Sequence, residues 1–456
     1  MIIIPELKQN MGKIAFFLFA LVGLFYSQQI VAQHKNIIIT QSKNSLMGPA
    51  EPSIVINPNS QNKMVVGVVS ENKRSSDANS FTVKNRIFYS KDYGKTWKAR
   101  KLRSKYGDFG DPCMVADNDG NFYYFHLSDP EKRGWSGDMI LDRIVCQRSA
   151  DGKIWTTGSG IGYNPPKQQD KPWAVFDEYS GRIFVSWTQF DKYGSSDVQD
   201  QSNILFSSSA DRGNIWSPPV KINQFSGDCL DGDNTPQGAV PAAGPEGTVF
   251  VAWSYDEKIL FDRSMDGGLT WLKEDIVVSE QPGGWSFDIP GFGRASGQPV
   301  TACDLSYGSY AGSIYVSWSD QRNGERDTDI WLSTSRDGGI TWSDPLKVND
   351  DKKTINGSHQ FFSWMTVDQQ TGIIYIVFYD RRNHKDLQTD VYLAYSKDGG
   401  ASFVNEKISV QPFVPDKKFF MGDYNNISAY KGIVRPVWTS ILDGQLTVMT
   451  AIINLK

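Results

Sequence analysis

The chain has 456 residues, enough to bury a large core, and 13% of them are aromatic. Its 47 lysines and arginines against 51 aspartates and glutamates give a formal net charge of −4. This mild acidity argues against a nucleic-acid partner, which would be expected to meet a basic stripe on the protein.

The N-terminus is predicted to be a signal peptide covering residues 1–32. Lys8 and Lys13 precede an apolar run over residues 14–26, and a small residue follows at a suitable cleavage site. The run is short for a membrane span, so we expect no stable membrane insertion after cleavage. We therefore expect a secreted or periplasmic protein whose mature chain, residues 33–456, forms one domain.

Pairs of short strands recur along the mature chain, each pair followed by a third strand. These runs are rich in β-branched and aromatic residues and end in turn formers, as strands do. Seven first strands are predicted, and they begin near residues 51, 111, 170, 238, 298, 361 and 423. A repeat of about 60 residues indicates one supersecondary unit copied around an axis or along a solenoid.

Six copies of one short motif follow the third strands. With small departures they read Ser-x-Asp-x-Gly-x-Thr-Trp, and they begin at Ser90, Ser149, Ser209, Ser264, Ser335 and Ser396. The Ser and Asp side chains can bond nearby backbone groups, and the Gly supplies a positive φ. The aromatic residue that ends the motif is a large apolar side chain that can be buried between neighbouring units. The motif therefore predicts a structural hairpin turn in preference to a ligand or metal loop.

These motifs resemble the Asp-box repeats of bacterial neuraminidases (sialidases) and their β-propeller relatives. The resemblance spans residues from about 50 to 405 and implies an all-β fold, a β-propeller of four-stranded antiparallel blades. The strand count favours seven blades, with six, the number typical of sialidases, as the alternative. The seventh unit shows only three strands, and we expect the N-terminal residues 34–40 to supply the fourth and close the ring.

Candidate catalytic residues lie on the face where the loops between second and third strands meet the links between blades. Carboxylates begin four of the predicted first strands, and a histidine ends the second strand of blade 2, where other blades carry Trp or Phe. The predicted catalytic residues are Glu51, Asp111, Asp170, Asp423 and His126. Such groups can serve proton transfer in glycan cleavage. For each of them, a structural or solvent-exposed role is the alternative.

Four further residues are predicted to bind substrate: Arg322, Arg382, Trp173 and His359. Arginine can hold a carboxylate in a bidentate fork. The alternative for both arginines is a structural brace, because blades 5 and 6 share the pattern Asp-x-Arg-Asn, which begins at Asp320 and Asp380.

The resemblance to sialidases implies three arginines around the substrate carboxylate, a Tyr–Glu nucleophile pair and an Asp acid/base. Their first arginine lies in an Arg-Ile-Pro motif that this chain lacks, since residues 48–53 read Gly-Pro-Ala-Glu-Pro-Ser. The expected function is a glycoside hydrolase of extracellular glycans resembling exo-α-sialidases. A non-catalytic glycan- or protein-binding propeller and a polysaccharide lyase using His126 are the alternatives.

The remaining motifs predict no cofactor and no metal site. Asp117-Asn-Asp-Gly-Asn resembles part of a calcium loop, but Ser128 stands where an EF-hand loop has Glu. Cys113 and Cys146 fall on the first and third strands of one blade, too far apart for a disulfide, so free thiols are expected. We expect a monomer whose partner is an extracellular glycan or polysaccharide.

Overall fold

A computed structural model describes residues 34–43, 45–74, 81–353, 355 and 357–455. The predicted signal peptide lies outside these residues. The described chain is almost entirely strand and loop, with two short 3₁₀ turns at Gly134–Ser136 and Pro245–Gly247. No helix in this part of the chain is long and apolar enough to cross a membrane.

The strands form seven four-stranded antiparallel sheets and one small hairpin. The first strand of the described chain is β1 (Lys35–Gln41), and blade 1 contains β2 (Ala50–Ile56), β3 (Met64–Arg74), β4 (Phe81–Ser90) and β5 (Lys98–Arg100). Blade 2 contains β6 (Cys113–Ala116), β7 (Phe122–Leu127), β8 (Ile144–Ser149) and β9 (Ser159–Ile161), and blade 3 contains β10 (Gln168–Phe176), β11 (Ile183–Phe190), β12 (Ser202–Ser209) and β13 (Val220–Lys221).

The second half of the ring repeats this arrangement. Blade 4 contains β14 (Gln237–Ala243), β15 (Val249–Tyr255), β16 (Lys258–Ser264) and β17 (Ile276–Glu280), and the hairpin of β18 (Ser286–Phe287) and β19 (Ala295–Ser296) follows it. Blade 5 contains β20 (Val300–Cys303), β21 (Ile314–Asp320), β22 (Asp329–Ser335) and β23 (Leu346–Lys347), and blade 6 contains β24 (Gln360–Val367), β25 (Ile374–Asp380), β26 (Asp390–Ser396) and β27 (Val404–Lys407). The last three strands are β28 (Asn426–Tyr430), β29 (Ile433–Leu442) and β30 (Gln445–Asn454).

The structure confirms the prediction of an all-β propeller with seven blades closed by the N-terminal strand. Blades 1 to 6 each pair four consecutive strands, whereas blade 7 has the order β1-β30-β29-β28. Lys35 of β1 pairs with Ile452 of β30, and Gln41 pairs with Thr447. Both ends of the described chain therefore share one sheet, which closes the ring.

The closing strand β1 is held by the side chains on one of its faces. Ile39 is 7% exposed and packs in a core cluster with Ile54 and Val448, whereas its neighbour Ile38 is 46% exposed. We expect Ile39→Ala to lower the free energy of unfolding by about 2–5 kcal/mol because it leaves a cavity in this core. The matched control Ile38→Ala is expected to change it by about 0.5 kcal/mol or less. Urea unfolding measures both variants, and equal losses would contradict this packing.

The six motif turns join the third and fourth strands of blades 1 to 6, as predicted. In blade 1, Ser90 Oγ accepts the N–H of Gly94 at 2.9 Å and Asp92 Oδ1 accepts the N–H of Thr96 at 2.9 Å. The closing ring reaches a neighbouring blade: Trp216 of blade 3 packs edge-on against Phe125 of blade 2, with centroids 5.7 Å apart. The turns therefore support the ring and leave the opposite face free for chemistry.

The four cysteines are free, buried thiols. Cys113 and Cys146 lie on either side of Phe125 in register, which confirms their placement on first and third strands. Burial raises the pKa of Cys113 to about 12. A buried thiol of this kind is chemically inert and acts as a small apolar residue of the core.

Candidate active site

The first strands of several blades begin with a β-bulge at the same place. In blades 1, 3 and 6 the register with the second strand shifts within the first few residues. The backbone there is left-handed, with φ of 49° at Glu51, 47° at Lys171 and 54° at Phe362, and Asp111, just before β6 of blade 2, has a similar φ of 46°. Residues other than glycine rarely adopt this conformation, which is concentrated at functional sites. Here the left-handed residues Glu51, Asp111 and Lys171 bring charged side chains of neighbouring blades together.

Lys171 lies at the centre of a buried group of charges. Its Nζ is 3.2 Å from Asp170 Oδ2, 3.7 Å from Asp231 Oδ1 and 3.5 Å from Asp423 Oδ2. Its backbone N–H donates to Asp111 at 3.0 Å. Burial alone would lower the pKa of Lys171, but the surrounding carboxylates raise it well above its ordinary value. The lysine is therefore charged, and it pairs with three carboxylates that lie far apart in the sequence.

A second cation comes from the β18–β19 hairpin. Arg294 Nε donates to Asp423 Oδ1 at 2.9 Å, Nη2 bonds Asp423 Oδ2, and Nη1 lies 2.8 Å from Asp231 Oδ2. The side chain of Arg294 is 32% exposed, against 7% for Asp231 and 2% for Asp423. Arg294 therefore lies on the solvent side of these carboxylates. We name the following residues the mouth cluster: Glu51, Asp111, Asp170, Lys171, Asp231, Arg294 and Asp423.

Hydrogen-bond donors surround Asp231 and keep it ionised. The hydroxyl of Tyr193 donates to Oδ2 at 2.7 Å, and Gln237 Nε2 donates to Oδ1 at 2.8 Å. Burial alone would raise the pKa of Asp231, but Lys171 and Arg294 lower it to about 2. Asp231 is thus a carboxylate across the whole neutral range.

Two other carboxyls of the mouth cluster behave in the opposite way. Burial and the charge of Asp423 raise the pKa of Glu51 to about 7. Burial, Glu51 and Asp170 raise the pKa of Asp111 well above its ordinary value, and Asp111 shares a hydrogen bond with Asp170. The cluster therefore combines two carboxyls with a raised pKa, Glu51 and Asp111, with Asp231, whose pKa is lowered, a pattern typical of acid–base sites.

The raised pKa of Glu51 predicts a pH dependence of stability. The folded protein holds the proton up to about pH 7, whereas the unfolded chain loses it near 4.5. The contribution of Glu51 is therefore fully present below pH 4.5 and is lost as the pH rises through 7. We expect Glu51→Gln, which cannot titrate, to become more stable relative to the wild type over this interval. Urea unfolding from pH 4 to 8 measures the free energy of unfolding of both proteins. A difference between them that stays constant with pH would contradict the raised pKa of Glu51.

An aromatic layer separates the mouth cluster from the central channel. The ring of Trp173 lies 4.2 Å from that of Trp364 and 4.8 Å from that of Tyr424, between centroids. Beyond this layer, a cavity of about 300 Å³ is lined by the first strands of all seven blades. Trp173, predicted to bind substrate, is 4% exposed and lies in this layer.

Four of the five predicted catalytic residues meet in the mouth cluster, namely Glu51, Asp111, Asp170 and Asp423. His126 lies elsewhere in blade 2. Its Nδ1 is 2.7 Å from the carbonyl of Leu127 and its Nε2 is 3.2 Å from Gln147 Oε1. Burial lowers the pKa of His126 to about 4. At neutral pH it is therefore an uncharged ring bonded within its own blade.

The other predicted substrate-binding residues have their partners in blades 4, 5 and 6. Arg322 Nη2 lies 2.6 Å from Asp320, and Arg382 Nε donates to Asp380 at 2.7 Å, which is the brace stated as the alternative. His359 bonds a threonine hydroxyl at 3.1 Å, and burial lowers its pKa to about 4. Within the described residues, no hydrogen bond or ion pair joins these three side chains to the mouth cluster.

Three residues around the cluster were not found from the sequence: Tyr193, Asp231 and Arg294. Asp231 and Arg294 lie in segments between blades that the repeat does not place, whereas Tyr193 lies in the loop between β11 and β12, on the predicted face. The available signal was the length of the segments before blades 4 and 5, which reach from β13 to β14 and from β17 to β20. In the described part of the chain, no group of three or more His, Cys, Asp or Glu side chains is arranged to hold a metal ion.

No family model and no curated protein matches this sequence. Among solved structures, an ulvan lyase from a new family of polysaccharide lyases is similar at a TM-score of 0.53 and 12% identity, covering 92% of this chain and 96% of that one. A sialidase of Streptococcus pneumoniae has a TM-score of 0.43 and 13% identity, with coverages of 91% and 70%. An α-L-arabinanase of Penicillium chrysogenum has a TM-score of 0.45 and 16% identity, with coverages of 79% and 98%. At these identities the likeness shows the fold alone.

Proposed function

We propose that this protein is a secreted glycan-active enzyme that hydrolyses glycosidic bonds at the mouth cluster. One observation carries the proposal: Glu51, with a pKa raised to about 7, lies among carboxylates that are paired with Lys171 and Arg294. Glycoside hydrolysis needs a carboxylic acid that still holds its proton and a second carboxyl group that does not. The mouth cluster supplies both within one buried site.

The roles follow from the raised pKa of Glu51 and from the hydrogen-bond partners of the other acids. Glu51 donates a proton to the departing glycosidic oxygen, because it is half protonated near pH 7. Asp170, which accepts hydrogen bonds from Lys171 and Gln237, is the carboxylate that acts as base or nucleophile. Asp111, whose pKa is raised well above its ordinary value by burial and by Glu51 and Asp170, orients Asp170 through their shared hydrogen bond.

Substrate access requires a movement of Arg294. The carboxyl groups it covers are almost fully buried, and its own side chain is the part that solvent reaches. A substrate that displaces the guanidinium would uncover Asp231 and Asp423 and would bring the scissile bond toward Glu51. We propose that the substrate is an extracellular glycan, with an exo-α-sialidase-like cleavage as the first activity to test.

The decisive experiment is mass spectrometry of glycans incubated with the purified mature protein. The panel contains sialyl-lactose, mucin oligosaccharides, ulvan and a pectin. Hydrolysis adds one water to each pair of products and would support the proposal. Products with an unsaturated, ultraviolet-absorbing sugar would show a lyase and overturn it.

A second candidate function, a non-catalytic glycan-binding propeller, is favoured by the burial of the acids. Glu51, Asp111, Asp170 and Asp423 are at most 8% exposed, and each has a partner within the mouth cluster. In that case the charges of the mouth cluster are paired with one another, and the cluster only stabilises the fold. Glycan binding without any product, across the whole panel, would support this candidate and would overturn the hydrolase.

A further inference from the structure

The loop between β7 and β8 presents a solvent-exposed tryptophan. Trp135 is 44% exposed, yet its ring lies 5.5 Å from that of Phe109 and 5.1 Å from that of Tyr193, between centroids. The contact with Phe109 is edge-on at 84°, and the contact with Tyr193 is tilted at 37°. One part of the indole therefore packs against Phe109 and Tyr193, while another part faces solvent. We name Trp135 and Tyr193 the aromatic ledge.

The loop that carries Trp135 is fixed by internal hydrogen bonds. The carboxylate of Asp129 accepts the N–H of Arg133 at 3.1 Å and the N–H of Gly134 at 3.0 Å. Further along the loop, the carbonyl of Leu141 accepts the N–H of Gln169 at 2.8 Å. Gln169 precedes Asp170 of the mouth cluster, so the loop is tied to the strand that supplies the site. A ligand that meets Trp135 thus meets a preorganised surface, which lowers the entropy lost on binding.

Tyr193 links the aromatic ledge to the mouth cluster. Its ring contacts Trp135 and Phe190, and its hydroxyl donates to Asp231 Oδ2 at 2.7 Å. Asp231 in turn bonds Arg294, which is more exposed than Lys171, the other cation of the mouth cluster. A ring stacked on Trp135 is therefore adjacent to the charged site and lies on the side from which solvent reaches it.

We propose that the aromatic ledge is a sugar-binding subsite, which stacks one ring of the glycan next to the ring that is held at the mouth cluster. The inference rests on the proposed glycan activity and names a specificity element of the same site. A sugar ring presents an apolar C–H face that covers an indole and hydroxyl groups that remain in water, which suits a half-exposed, amphipathic aromatic pair. Trp135 belongs to a loop of blade 2 alone, so this subsite breaks the symmetry of the ring.

Binding to inactive protein tests the aromatic ledge separately from catalysis. Glu51→Gln serves as the background, and the Kd of ulvan oligosaccharides, pectin oligosaccharides and sialyl-lactose is measured by calorimetry. Adding Trp135→Ala is expected to weaken binding of the glycan that binds best by about tenfold. Trp135→Phe, which keeps an aromatic ring, is expected to retain part of the affinity. The matched control is Tyr307→Ala, a fully exposed aromatic at 104% in the loop between β20 and β21.

The outcomes separate the two proposals. Weaker binding by Trp135→Ala but not by Tyr307→Ala supports the aromatic ledge, whether or not the wild type releases any product. If the wild type cleaves a glycan, Trp135→Ala is expected to raise KM about tenfold with little change in kcat. Equal affinities of the Trp135→Ala and Tyr307→Ala proteins, or no binding of any of the three probes, would overturn the ledge.

Discussion

Glu51→Gln is expected to lower kcat by about 10²–10⁴ on the glycan that the wild type cleaves. Glutamine keeps the oxygen that accepts the N–H of Asp423, so the local hydrogen bond survives. It cannot donate a proton to the departing oxygen, because the amide is not an acid at any pH of interest. The wild-type rate is also expected to fall as the pH rises above about 7, where Glu51 loses its proton.

The control for this prediction is Glu274→Gln, since Glu274 is exposed in the loop before β17. That variant is expected to keep the wild-type kcat and pH profile. Steady-state kinetics between pH 5 and 9, with melting temperatures for each protein, complete the measurement. A Glu51→Gln enzyme with unchanged kcat would remove Glu51 from the mechanism, and Asp111→Asn would then be the next acid to test.

Lys171→Met is expected to destabilise the folded protein by about 3–5 kcal/mol near pH 7. The side chain of Lys171 is 5% exposed and lies within 3.7 Å of three carboxylates, so methionine would leave buried charges without their partner. The pKa of Asp231, held low by Lys171 and Arg294, would rise in the variant. The loss of stability is expected to shrink as the pH is lowered, because protonation removes the unpaired charges.

A matched lysine tests whether burial is the reason. Lys258 lies 3.2 Å from Asp256, but the two side chains are 36% and 63% exposed. Lys258→Met is therefore expected to change the free energy of unfolding by less than about 1 kcal/mol. Chemical unfolding of both variants at pH 5 and pH 8 measures the contrast. Equal effects, or a Lys171→Met loss that grows toward low pH, would contradict the ionised cluster.

The blade repeat made most of the fold predictable. Residues that recur at one position of each unit, such as Ser90 and Trp216 in the turns, have one structural role repeated around the ring. The same regularity located Glu51 and Asp111, because equivalent positions at the top of successive first strands converge on the axis. Even the closing strand could be predicted, since the seventh unit was one strand short.

The parts that could not be predicted depend on contacts between loops. Arg294 meets Asp231 and Asp423 only because a hairpin outside the blades reaches them, and no spacing in the sequence records that distance. The arginines chosen instead, Arg322 and Arg382, belong to a pattern shared by two blades, and the structure pairs each with its own aspartate. The repeat in the sequence therefore predicted the fold, but it did not predict Arg294, the second cation of the mouth cluster.

The pairing of β1 with β30 also bears on the order in which the protein folds. Lys35 and Ile452 meet across nearly the full length of the described chain, so the last sheet has to wait until the final strand has been synthesised. Such non-local pairing is slow, because the loop entropy is lost before the contacts form. Blades 1 to 6 pair consecutive strands and can assemble as the chain emerges. Until blade 7 completes the circle, the open edges at both ends are the surfaces through which a nascent chain would aggregate.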